Sequence, residues 1–380
     1  MLPIPSDLRE EAHLMELESM GYTIVHDAIP ADLLRRLRLC HAQACQRIRE
    51  AKPEADWSWE SDNPGVVDYW RLYALDPVYE ELLTLPSIYN ICQRAIIEGR
   101  GGPGVQPHPA GPILVHEMGQ HAPAHTPGGQ AWHQDGGPTD PSLRCTFTLN
   151  DLAPDGGGTI ALAGTPTTKA RAHYYSLSLS LSLFSLHSLG QPTDSSEAQA
   201  TAAVLKSGSH TDITGGYGQV LNSQEEFEYQ APTEGRSSAP FDRSPNRPHA
   251  MPNAVTQHGP AGSCMINWTS IWHTRPPNFS DQPRDVIWQI FTRKEPISAG
   301  EAKHGGRLQH HQPRQYVEKV QATGSEQLKA LIGEAERWGF EELTEEEIAR
   351  TTAAEPLWPD GRPDELLAPA GGGGEGGAKL

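Results

Sequence analysis

His133 and Asp135, within Trp132-His133-Gln134-Asp135-Gly136-Gly137, put an imidazole and a carboxylate two residues apart with glycines directly behind. On a β-strand, side chains at i and i+2 leave the same face, so both can reach one metal ion from one strand end. Two ligands do not close a site. His273, in Trp272-His273-Thr274-Arg275-Pro276-Pro277-Asn278, is the candidate third. Two histidines and one carboxylate on one face, with the remaining positions open, form the ligand set of non-haem iron(II) that activates oxygen. Arg284 follows a Pro-Pro-Asn turn and opens the next predicted strand. A planar guanidinium there suits bidentate capture of a distal carboxylate, as in 2-oxoglutarate bound through its 2-oxo acid end to the iron. A zinc hydrolase or a cupin-type isomerase can use the same three ligands, though neither needs Arg284. A catalytically inactive binding protein is the non-enzymatic alternative.

The elements that must position these residues are strands. The chain has 380 residues, with 37 glycines and 33 prolines, which fits a strand-and-loop architecture better than a helical one. Ser142 to Leu152 alternates, with Leu143, Cys145, Phe147 and Leu149 on one face and Arg144, Thr146, Thr148 and Asn150 on the other. Ile113 to Met118, Thr159 to Leu162, Ser263 to Trp268 and Asp285 to Phe291 also read as strands, the last two on either side of His273. Gly21 to Val25 reads as a short strand. It is followed by a helix from Ala31 to about Glu50, whose apolar positions Leu33, Leu34, Leu37, Cys40, Ala44, Cys45 and Ile48 keep the 3.6-residue period. Arg35, Arg36, Arg38, Arg47 and Arg49 fill much of its remaining surface, a solvated face. Further helices are expected between about Pro77 and Glu98, at Ser325 to Trp338 and at Thr344 to Thr351.

Trp132-His133-Gln134-Asp135, the Gly156-Gly157-Gly158-Thr159-Ile160 turn, Gly208-Ser209-His210, and His273 followed by Pro277-Asn278-Phe279-Ser280-Asp281-Gln282-Pro283-Arg284 resemble the phytanoyl-CoA dioxygenase family. The likeness covers roughly residues 15 to 295 and includes the opening strand and helix. It implies a mainly β fold with flanking helices, a double-stranded β-helix (jelly-roll, cupin-like). It also implies iron(II), with His133, Asp135 and His273 as ligands, and 2-oxoglutarate as co-substrate on Arg284, with ascorbate as a candidate accessory. The implied reaction is hydroxylation of a C–H bond in a small organic substrate, a fatty acyl-CoA among the options. Asp135 favours hydroxylation over the halogenation found where a small residue replaces the carboxylate. Arg275 departs from the small residues common after the distal histidine.

The domain reading follows. Residues 1–14 are an acidic, mobile N-terminus, 15–300 the oxygenase domain, 301–365 a helical extension and 366–380 a flexible Gly-rich tail. Within the domain, residues at about 165–206 include the low-complexity run Ser176 to Leu186 and separate Ala163-Gly164 from Ser207-Gly208-Ser209-His210. That position marks an insertion; its repeat suggests a translated intron, with a genuine low-complexity loop as the alternative. Residues 222–260 form a polar, Pro-rich loop of the kind that caps active sites.

Other features exclude alternatives. A net charge of −18 with no basic stripe argues against a nucleic-acid partner. No apolar run approaches the roughly 18 residues of a membrane span, and Met1-Leu2-Pro3-Ile4-Pro5 lacks the features of a signal peptide. Five scattered cysteines with no CxxC pair indicate neither a disulfide framework nor a thiolate zinc site. His116-Glu117-Met118-Gly119-Gln120-His121 is one residue too long for HExxH, since i and i+5 on a helix lie about 140° apart. His121, His125, His249 and His258 read as loop residues, and Trp132 and Trp272 as core packing. Ala378-Lys379-Leu380 differs from the peroxisomal Ser-Lys-Leu address by one small-for-small change, so a peroxisomal import receptor is an expected partner, with the cytoplasm as the alternative location.

Overall fold

The structure is a computed structural model and describes residues 6–54, 57–58, 63–100, 111–130, 134–135, 141–163, 254–293 and 314–333. His133, the expected insertion, the helix expected at 344–351 and the address at 378–380 lie outside the described residues.

Two antiparallel sheets carry the fold. The larger contains β1 (Tyr22–Val25), β2 (Val67–Tyr69), β3 (Pro112–Ala122), β4 (Leu143–Thr148), β7 (Cys264–Trp268) and β9 (Arg284–Arg293), in the order β1-β7-β4-β9-β3-β2. The smaller contains β5 (Ile160–Leu162), β6 (Ala254–Thr256) and β8 (His273–Thr274), in the order β6-β5-β8. From β4 onward the chain runs through the large sheet, twice through the small one, then large, small and large again. Every pairing is antiparallel. That crossing between two facing sheets is a jelly roll, the double-stranded β-helix expected from the sequence.

The register decides which side chains look inward. Cys145 and Phe147 on β4, Ile266 on β7, and Ile287 and Phe291 on β9 join the main core on the outer face of the large sheet. That face is covered by α1 (Ser6–Met20), α2 (Ala31–Ala51), α3 (Leu72–Leu75), α4 (Val78–Leu83) and α5 (Pro86–Glu98). The alternate positions face the space between the sheets. There Trp70, Met118, Val286 and Trp288 form one cluster, and Ala161 of the small sheet meets Met265 of the large one in another. The alternation in β4 is therefore the one expected, although both of its faces are buried. Arg144, Thr146 and Thr148 point between the sheets.

Some elements differ from the sequence reading. The N-terminus expected to be mobile forms α1 from Ser6, because Leu14 and Leu17 are fully buried against the core and Glu11 takes hydrogen bonds from Arg94 and Arg100. His121 is not in a loop. It lies on β3, which continues past Gly119 to pair Ala122 with Arg284. The predicted loop at 222–260 contains the short strand β6, held by Ile160 and Leu162 of β5. The expected helix at 325 is α7 (Glu326–Ile332), capped by Ser325, whose hydroxyl accepts from the Leu328 amide; α6 (Arg314–Thr323) precedes it.

Gly157 has φ +77°, and a Cβ there would come within 3.3 Å of Asn278. The close approach is used. Asn278 donates to the carbonyls of Pro123 and Gln282, and the adjacent Phe279 amide donates to Asp155. The Gly-rich turn after β4 is thus locked to the connection between His273 and Arg284.

Candidate metal centre

Asp135 is held by backbone. Its amide donates to the Thr269 carbonyl at 3.0 Å, and Gln134 Nε2 donates to the Ser270 carbonyl. Both acceptors lie in the connection from β7 to β8, so the segment after His133 is tied to the strand that carries His273. His273 is itself 1 % exposed and pairs with Ala161 on β5. Its Nδ1 lies 3.1 Å from the Ile271 carbonyl, which can only accept, so the proton sits on Nδ1 and Nε2 presents a lone pair. That lone pair faces Asp135, with Nε2 and Oδ2 3.4 Å apart. Two donors at this separation can each lie about 2.1 Å from a single divalent ion. A partly buried carboxylate, its side chain 12 % exposed, beside an unprotonated imidazole nitrogen is a donor pair suited to a borderline cation such as iron(II). The structure brings Asp135 and His273 together. The third expected ligand, His133, is outside the described residues.

A residue the sequence reading left on the polar face of β4 joins them. Arg144 Nη1 lies 2.9 Å from Asp135 Oδ2 and 2.8 Å from His273 Nε2, and its guanidinium sits 4.7 Å over the Trp288 ring. Strand alternation placed Arg144 opposite the apolar face, but no spacing rule could carry its head to Asp135 and His273. Arg275, the departure from the family pattern, turns toward the chain that precedes His133. Its Nη1 donates to the Gly128 carbonyl at 3.2 Å, and its own carbonyl accepts from the Gln130 amide at 2.7 Å.

Arg284 opens β9 as expected, 2 % exposed and facing between the sheets. Its Nη1 donates to Gln120 Oε1, and Gln120 Nε2 donates in turn to Asp68 Oδ1 at 2.8 Å. Gln120 on β3 therefore orients the guanidinium that the sequence reading assigns to a carboxylate.

Among the described residues a His-His-Asp group lies on the opposite side of the large sheet. Donor atoms of His41, His121 and Asp285 all fall within 4.8 Å of one another, a spacing that can hold a metal ion. Asp285 Oδ1 is 3.1 Å from His41 Nε2 and 2.7 Å from His121 Nδ1, while His41 Nδ1 is 2.6 Å from the Tyr69 hydroxyl. Burial pushes the His41 pKa down, but the Cys45 sulfur and the Asp285 carboxylate outweigh it and hold the pKa up, at about 10. Burial raises Asp285, and the hydrogen bonds from His121 and His41 more than reverse this, leaving it well below the usual carboxylate range. The group is therefore charge-balanced by a protonated His41. Sequence reasoning missed it, although His41 stands on the apolar stripe of α2, four residues from Leu37 and from Cys45. His116 and His121 face opposite sides of β3, so they do not share an ion.

No family model and no curated protein matches the chain. Among solved structures it is similar to the non-heme α-ketoglutarate-dependent epimerase SnoN from nogalamycin biosynthesis, at 13% identity and a TM-score of 0.43, covering 76% of this chain and 84% of that one. It is similar to EctD from S. alaskensis, solved with 2-oxoglutarate and 5-hydroxyectoine, at 13% identity and a TM-score of 0.43, covering 74% and 75%. It is also similar to AviO1 from Streptomyces viridochromogenes, at 13% identity and a TM-score of 0.44, covering 76% and 96%. The fold assignment rests on the strand order itself. It defines a jelly-roll protein, and a carboxylate–imidazole pair, Asp135 with the buried His273, meets between its sheets.

Proposed function

We propose that the chain is an iron(II)- and 2-oxoglutarate-dependent oxygenase that hydroxylates a small organic substrate. The observation that carries this reading is the meeting of Asp135 Oδ2 and His273 Nε2 at 3.4 Å between the sheets. Asp135 and His273 would hold the metal together with His133, and Arg284 would take the distal carboxylate of 2-oxoglutarate. Bound there, iron(II) would supply oxygen activation coupled to decarboxylation of the co-substrate. The protein's own part is positional. Ile271 keeps the proton of His273 on Nδ1, the Thr269 carbonyl fixes Asp135, Gln120 orients Arg284, and the wall of Trp70, Met118, Val286 and Trp288 excludes water.

Oxygen-dependent formation of succinate from 2-oxoglutarate tests the reading, with Asp135→Ala and His133→Ala as controls. Iron binding without any turnover across a substrate panel would overturn it. The resemblance to the phytanoyl-CoA dioxygenase family makes a fatty acyl-CoA the first panel member, with free fatty acids and small amino-acid derivatives beside it. A peroxisomal location through Ala378-Lys379-Leu380 is part of the same proposal. Deleting Leu380 from a fluorescent fusion should abolish punctate fluorescence, and unchanged puncta would count against it.

A further inference from the structure

Arg144 stands where a metal would stand. One guanidinium nitrogen, Nη1, carries two N–H groups, and its distances of 2.9 Å to Asp135 Oδ2 and 2.8 Å to His273 Nε2 let it serve both donors at once. Arg144 is 7 % and His273 1 % exposed, and the Asp135 side chain keeps 12 % of its surface, so the three groups are largely out of water together. A buried carboxylate without a compensating charge is costly, and the guanidinium supplies that charge. A divalent ion about 2.1 Å from the same two atoms would overlap Nη1 and repel its charge. Ion and guanidinium therefore exclude one another.

The strand offers Arg144 a second place. Its direct register partner across β4 and β7 is Asn267, and directly opposed side chains in an antiparallel pair lie about 5 Å apart at Cβ. Asn267 is 1 % exposed, and its Nδ2 donates to the Trp268 carbonyl at 2.9 Å. Its Oδ1 is buried and has no hydrogen-bond partner. Arg144 Nε is likewise buried without a partner. A buried acceptor left unmet is uncommon and is removed when a donor arrives. Trp288, already beneath the guanidinium, can keep the planar group stacked as it turns.

We propose that Arg144 is an exchangeable internal cation. It fills the notch between Asp135 and His273 when no metal is bound and passes to Asn267 Oδ1 over Trp288 when metal enters. Metal uptake is then an exchange of one cation for another, and its affinity is set by β4 as well as by the ligands. The inference rests on the metal site proposed above.

The test is a Co(II) titration of the full chain, followed by visible absorption and equilibrium dialysis. It uses the wild type, Arg144→Gln, Asn267→Leu and the double variant, with circular dichroism as the check on folding. Arg144→Gln should bind Co(II) at least about tenfold more tightly than the wild type, because nothing has to be displaced. Asn267→Leu should weaken binding severalfold, and this loss should vanish in the Arg144→Gln background. A purely structural role for Asn267 would leave the two effects additive. Arg144→Lys, which keeps a charge but not the fork, should fall between the wild type and Arg144→Gln, and it carries the comparison if Arg144→Gln does not fold. Adding Asp135→Asn should abolish the Arg144-sensitive binding in either background, and any Co(II) that remains belongs to the His41, His121 and Asp285 group. Equal or weaker Co(II) binding by Arg144→Gln overturns the exchange and leaves the metal site standing. Absence of Asp135-dependent binding in every form overturns the metal site and the exchange with it.

Discussion

Arg284 and Asp285 are adjacent at the start of β9 and face opposite sides of the large sheet. Arg284 reaches between the sheets to Gln120, whereas Asp285 reaches the helical side to His41 of α2 and His121 of β3. The charged network on the outer face therefore pins the backbone from which the proposed co-substrate residue projects.

Asp285→Ala should destabilise the chain by about 3 kcal/mol, the cost of leaving a buried histidinium without its counterion. Urea unfolding monitored by tryptophan fluorescence measures this. A loss no larger than that of an ordinary surface substitution would show that His41 is neutral in the folded chain.

The same network sets a pH dependence. The folded pKa of His41, about 10, lies above its ordinary value of 6.5, so its stabilisation is complete below about pH 6.5 and is lost as pH rises toward 10. Asp285 is lowered, so its contribution is present above the ordinary carboxylate value of 3.8 and disappears in stronger acid. Unfolding free energy should decline from neutral to alkaline pH in the wild type. His41→Gln should be less stable at pH 6 and should show a flatter alkaline limb.

The strands were legible because period-two alternation is local. Leu143, Cys145 and Phe147 could only face a core, and the structure puts them there. The expectation that Asp135 and His273 would lie close together came from their residue types and from a resemblance, and the structure places them 3.4 Å apart. Arg144 was not legible, because its sequence gives its face and not the reach of a long side chain. His41 with Asp285 was invisible for another reason. The two are far apart in sequence, on a helix and a strand, and only the docking of α2 on the sheet joins them. His121 was misread because β3 runs through Gly119, a residue that normally weakens a strand.

Gly119 has its own explanation. It sits opposite Tyr69 in the β2–β3 register, and a Cβ there would come within 2.1 Å of the Tyr69 ring. Tyr69 is the hydroxyl partner of His41 and lies 3.2 Å from the Tyr79 hydroxyl. Gly119→Ala should cost about 2 kcal/mol through overpacking and should shift the His41 ring resonances in an NMR spectrum. An unchanged thermal midpoint would contradict the close contact.

Substitutions at Arg284 and His273 should separate co-substrate binding from metal binding. Arg284→Leu removes a charge-assisted carboxylate contact. It should weaken 2-oxoglutarate by about 2 kcal/mol, roughly 30-fold in the co-substrate KM, while leaving Co(II) affinity close to that of the wild type. His273→Ala removes a donor whose tautomer Ile271 fixes and should lower Co(II) affinity by more than about 100-fold, beyond what supporting residues around a metal usually cost. The contrast has a structural basis. Arg284 is held through Gln120 and Asp68 by β3 and β2, whereas His273 is held through Ala161 and Ile271 by the small sheet and its loop. Equal losses of both ligands in both variants would mean that the two residues serve one structural unit, and the division between metal and co-substrate would fail.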